Sequence, residues 1–142
     1  MSAIFWIISG IILITLYFLY AGVIMKKNKV KEASAGIDVQ LKKRYDLIPN
    51  LLNMAAKFMA HESKLMEEIT KLRTAAMANS FKDNPQEKIK NEKLLESKLK
   101  EFNLSVENYP DLKSNQTMMT AMQSMNEVEE HIAAARRFYN AA

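Results

Sequence analysis

Apolar positions follow two kinds of pattern along the 142 residues. From Ala3 to Met25 they run almost unbroken, AIFWIISGIILITLYFLYAGVIM, with no charged side chain before Lys26. As a helix this run is roughly 34 Å long at 1.5 Å per residue, enough to cross a hydrocarbon core of about 30 Å. From Ile37 the run gives way to a seam. Ile37, Leu41, Arg44, Ile48, Leu51, Ala55, Phe58, Glu62, Leu65, Ile69, Leu72 and Ala76 recur at steps of four and three, the spacing of a helix packed against other helices. Leu52, Met59 and Met66 form a second stripe beside it. A face that wide suits a bundle with two neighbours better than a two-stranded coil. Two shorter amphipathic segments follow, one on Ile89, Leu95, Leu99, Phe102 and Val106, the other on Met118, Ala121, Met122, Met125, Val128, Ile132, Ala135 and Tyr139.

Breakers set the boundaries. Pro49 lacks an N–H and crowds the carbonyl of Tyr45. The seam keeps its phase across it, so the spacing predicts a kinked, continuous helix over 37–78. Residues 79–84 read as a loop. Asn84 caps, and Pro85 opens, a second helix over 85–108. Tyr109-Pro110 ends that helix. Asp111 to Ser114 makes a turn, with Asp111 or Ser114 capping a third helix over 114–142. Short loops make neighbouring helices antiparallel. The expected architecture is all-α: a transmembrane anchor at 1–25, a basic connector at 26–36, and an antiparallel three-helix bundle of long helices over 37–142. Its expected core is Leu41, Ile48, Leu51, Phe58, Leu65, Ile69, Leu72, Leu99, Met125 and Ile132. Arg44 on the seam either snorkels or is a buried polar feature that fixes register. The Lys and Glu residues of the second helix read as a solvated face with local pairs.

Charge then orients the anchor. Lys26, Lys27, Lys29 and Lys31 precede the first acid, Glu32. The positive-inside bias places the C-terminal part in the cytoplasm, as a single-pass protein of the cell membrane. The lysines, Trp6 and Tyr20 are the expected interface residues, with membrane lipids as partners. A cleaved signal peptide fits poorly, since no basic side chain precedes a run this long. Gly10 and Gly22 make no GxxxG motif. With no cysteine, disulfides, lipobox acylation and thiolate metal sites are excluded.

Three motifs, IDVQLKKRYDLIPNLL (37–52), NYPDLKSNQ (108–116) and EEHIAAARRFYNAA (129–142), together with the HES and TKLRTAAM segments between the first two, resemble the LemA family. The resemblance runs from about Lys26 onward. It implies a bacterial protein with a short membrane anchor followed by an antiparallel helical bundle. Family members have a poorly defined role, a related branch takes part in magnetosome formation, and there is no catalytic residue to carry over. Two departures stand out. Ser34 occupies a position where family members often have Trp, which predicts looser packing at the entry to the bundle. Family chains usually continue past RRFYN, so the resemblance leads one to expect an end at Ala142 that is truncated, trimmed or disordered.

Candidate chemistry is thin. His61-Glu62 begins like HExxH, but Leu65 stands where the second His belongs. Glu127 and His131 share a helical face without the paired Glu-x-x-His motifs of di-iron bundles. Asp38, Asp46 and Asp111 show no acid–base spacing. The net charge of +4 comes from bases interleaved with acids, which argues against nucleic acid. Arg136-Arg137-Phe138-Tyr139 resembles a recognition tetrapeptide in isolation. Inside a helix it reads as one inward residue with basic groups near a helix end. No catalytic, cofactor or metal site is expected. The expected function is a non-enzymatic membrane scaffold that self-associates through its helical faces and organises or shapes the bilayer. The alternative is a monomeric or dimeric tethered adaptor that binds another protein.

Overall fold

A computed structural model describes residues 2–79, 81 and 84–142. Ser80, Lys82 and Asp83 of the expected loop lie outside the described residues. Among those described, every regular element is helical: α1 (Ser2–Ala55), a 3-10 turn (Ala60–Glu62), α2 (Ser63–Ala78), α3 (Pro85–Val106), the short α4 (Pro110–Lys113) and α5 (Gln116–Ala141). They form two compact units, Met1–Val39 with His131–Ala142, and Gln40–Glu130.

The first unit contains the one helix, among the described residues, that is long and apolar enough to cross a membrane. Its apolar side chains point outward all round, Trp6 at 72% and Tyr20 at 68% exposure. A helix apolar on every side is stable only where its surroundings are apolar too. A Cβ at Gly10, Gly22 or Gly36 would meet nothing within 4 Å, so none of these glycines is required by a close backbone approach. The buried apolar residues of this unit are Ala33 and Ile37 on α1 and Ile132 on α5.

The second unit departs from the expected three-helix bundle. The helix expected over 37–78 does not form. α1 runs through Pro49 without interruption and ends six residues later, at Ala55. A turn follows, with Phe58 N–H and Met59 N–H both donating to the Ala55 carbonyl at 2.9 and 2.8 Å. α2 then folds back along α1. Arg73 Nε donates to the Tyr45 carbonyl at 2.7 Å, whereas a continuous helix would hold those residues roughly 42 Å apart. The physical reason is burial. Folded back, the stripe on Leu41, Ile48, Leu51 and Ala55 and the stripe on Leu65, Ile69 and Ala76 are both covered, and full burial of a Leu or Ile contributes about 1.5–3 kcal/mol. Met59, fully buried, pins the turn. Phe58 falls on the outer side at 41% exposure, outside the core expected for it. Leu72 is only half-buried.

α3 packs antiparallel to α2, with Lys98 joined to Glu68 at 2.9 Å and Lys88 joined to the Ala76 carbonyl at 2.5 Å. Asn84 accepts from Glu87 N–H at the start of α3, and the helix ends at Val106 instead of 108. Pro110 opens α4, a single turn that overlaps the expected 111–114 connection, with Leu112 buried. α5 starts at Gln116. Its cap is Asn115, whose Oδ1 accepts from Thr117 and Met118 N–H at 3.0 and 3.1 Å, and not Asp111 or Ser114. α5 runs antiparallel to α1: Arg44 meets Glu129, while Asn50 and Asn53 lie beside Gln116 to Thr120. Four helical segments, not three, enclose the core, and Leu99 and Met125 lie in it.

Candidate functional site

The core of the second unit contains charge. Arg44, Lys88 and Glu92 are 0, 5 and 1% exposed, and Tyr45 is 5% exposed. Arg44 Nη2 donates to Glu92 Oε2, and Arg44 Nη1 donates to Glu129 Oε1 at 2.8 Å. Tyr45 Oη donates to the other oxygen of Glu92. Lys88 Nζ donates to Tyr45 Oη at 2.7 Å and stands 3.4 Å from Glu92 Oε1. Its ammonium also faces the Tyr45 ring, 5.0 Å from the centroid. Two cations meet two carboxylates, so the cluster is neutral as a whole. A buried ion pair is tolerated only when its remaining hydrogen-bonding capacity is met, and both Glu92 oxygens are engaged. Gln40 Oε1 and Arg44 Nε, one turn apart, are buried without a hydrogen-bond partner.

Pro49 is tied into this cluster. Its missing N–H frees the carbonyl of Tyr45, four residues earlier. Arg73, from α2, fills that carbonyl. The proline therefore makes a docking point for the returning helix, next to the side chains of Arg44 and Tyr45.

Arg44 had two readings from sequence; it is the buried polar feature. The solvated reading of the second helix does not hold at Lys88 and Glu92, which face inward, while Ile89 faces outward at 45% exposure. Tyr45, Arg73, Lys88, Glu92 and Glu129 all went unrecognised in the sequence. The available signal was phase: Lys88, Glu92, Leu95, Leu99, Phe102 and Val106 step by four and three.

The outer ion pairs behave differently. The Lys98 ammonium, hydrogen-bonded to the Glu68 carboxylate, holds Glu68 below the usual carboxylate range. Glu101 first, then Glu68, raises Lys98. Glu67 is lowered by its hydrogen bond with Lys71, four residues on.

At one end of this unit α1 and α5 leave a groove of about 620 Å³. It is lined by Leu47, Asn50, Asn53, Met54, Gln116, Thr117, Thr120 and Ala121. Every polar group in it is an uncharged carboxamide or hydroxyl. A neighbouring hollow of about 280 Å³ shares Met54 and Thr117 and adds Lys57, Phe58, Leu112 and Asn115. His61 is exposed in the 3-10 turn and Glu62 half-buried. Among the described residues no three of His, Asp and Glu converge as metal ligands. Lys26, Lys27, Lys29 and Lys31 are exposed on α1 just beyond the apolar run.

In comparison with known proteins, residues 33–142 match the LemA family. No curated protein matches the chain.

Proposed function

The chain belongs to the LemA family, and from that premise we propose that it is a non-enzymatic adaptor, tethered to the membrane by α1, that holds another protein against its helical bundle. The observation that carries this reading is the groove between α1 and α5. It is uncharged, and its carboxamides and hydroxyls, which donate or accept hydrogen bonds, are interspersed with the apolar Leu47, Met54 and Ala121. Such a lining suits a peptide segment presenting backbone amides and small apolar side chains. The family is not known for enzymatic activity. The apolar run of α1 supports membrane anchoring, and the lysines after it support a cytoplasmic bundle on a single-pass anchor.

The test is photo-crosslinking in native membranes from a benzophenone side chain placed at Asn53 or Thr120. One discrete heterologous product from both positions, absent when the probe stands at Lys100 on the outer face of α3, is the expected result. No product from either groove position would remove the reading.

Self-association into a scaffold is the second reading. The long seam is covered within the chain itself; what favours self-association is Leu104, 72% exposed on α3, with Met77 and Met119 also half open to solvent. Crosslinked products at twice the chain mass would favour it.

A further inference from the structure

The end of α5 lies beside the basic collar of α1, within one compact unit. Lys29 Nζ stands 5.8 Å from the centroid of the Phe138 ring. That contact sets a depth. Lys29 is four residues past Met25, the last residue of the apolar run, or about 6 Å along a helix axis. The headgroup layer is roughly 5–7 Å thick on each side of a hydrocarbon core. If the apolar run fills that core, Phe138 stands at the outer edge of the headgroups. Phe138 and Tyr139 are 48 and 43% exposed. Arg137 is exposed next to them, while Arg136 is half-buried and already engaged. Lys26, Lys27, Lys29 and Lys31 are all exposed. Residues 26–32 carry four lysines and Glu32, and residues 131–142 carry two arginines and no acidic side chain. Six basic side chains thus stand against one acidic one, within reach of a surface whose field extends about 8 Å in physiological salt.

We infer that the C-terminal end of α5 is a second membrane contact, selective for anionic phospholipid. Arg137 and the collar lysines bind lipid phosphates, and Phe138 and Tyr139 seat at headgroup level, where amphipathic and aromatic rings are favoured. The contact rests on the reading that α1 crosses the bilayer. It makes the last helix responsive to the lipid charge of the leaflet it meets. Each basic side chain near such a surface is worth about a fivefold change in the bound-to-free ratio.

The chain has no cysteine, so a single introduced one reports cleanly. Asn140→Cys keeps both aromatic residues and carries a nitroxide label. The full chain is reconstituted in phosphatidylcholine vesicles with and without a one-third share of phosphatidylglycerol. The label's collisions with a water-soluble relaxant are then measured. Phosphatidylglycerol is expected to shield Asn140→Cys. High salt, or Lys29→Gln with Arg137→Gln, is expected to reverse the shielding, each substitution lowering the bound-to-free ratio about fivefold. Equal access in both vesicles, or shielding indifferent to lipid charge, overturns the inference. A label at Leu16→Cys separates the two levels. If Leu16→Cys is shielded while Asn140→Cys is not, the α5 contact alone fails. If Leu16→Cys is open to the relaxant, the anchor reading fails and this inference with it.

Discussion

Replacing Glu92 by Leu removes the carboxylate that Arg44, Tyr45 and Lys88 share. Arg44 then keeps only Glu129, whose side chain is 32% exposed. Tyr45 Oη loses its buried acceptor and Lys88 its ion-pair partner. Removing one partner of a buried ion pair costs about 3–5 kcal/mol, because the other charge stays desolvated. A whole domain is stable by only about 5–15 kcal/mol. In a unit of this size each kcal/mol lowers Tm by roughly 4–8 °C, so the expected fall is on the order of 15–30 °C. Arg44→Leu should cost a similar amount by stranding Glu92. The double variant removes both charges; Lys88 retains Tyr45 Oη and the Ala76 carbonyl as acceptors. Its loss should be smaller than the sum of the two single losses, by a coupling of roughly 2–3 kcal/mol between the sites. The assay is guanidinium unfolding of the full chain in mild detergent, followed by far-ultraviolet circular dichroism. An unchanged midpoint for Glu92→Leu, or single losses that simply add in the double variant, would refute the reasoning.

Three further outcomes are expected. Arg73→Met should cost about 1–2 kcal/mol by unpairing the Tyr45 carbonyl, and much less in a Pro49→Ala background, where the restored N–H serves that carbonyl; equal losses in both backgrounds, by the same denaturation assay, would disconnect Arg73 from the proline. Gly36→Ala should raise stability by about 0.5–1 kcal/mol, since the position is inside α1 and open to a Cβ; a lower thermal midpoint would show a close neighbour there. Glu68 is held below its ordinary pKa by Lys98, so its contribution is present above the unfolded value of about 4.3 and is lost as pH falls through the lower folded value. Glu68→Gln should therefore flatten the acid limb of a stability–pH profile below about pH 4.3 without altering its shape near pH 7, and an unchanged acid limb would show that the pair is fully screened.

The long apolar N-terminal helix and the helical class were legible because both depend on composition and period alone. The reversal at Ala56–Met59 was not. Residues 56–62, AKFMAHE, contain neither Pro nor Gly, and the heptad phase runs straight through them. One apolar stripe serves a long helix or two helices folded on each other equally well; only the partner that covers it distinguishes them. Continuity through Pro49 was legible, because the seam keeps its phase across it, and α1 does pass through it; that Arg73 meets the carbonyl the proline frees was not. The charged cluster was half visible. Arg44 lies on the seam of α1. Taking Ile89 as the start of the α3 stripe shifts the phase by one position and sends Lys88 and Glu92 to the outside. Following the unbroken steps back from Val106 brings them in.

The adaptor reading turns on whether the bundle is complete in one copy, because a self-covered stripe leaves the α1–α5 groove for a different protein. The most direct test is the protein mass of full-length particles in detergent micelles and in lipid nanodiscs, by light scattering over a range of concentrations. One chain of 16.3 kDa per particle at every concentration is the predicted result. Assembly into large rings, cages or tubes of many chains would contradict it and establish self-association as the protein's mode of action.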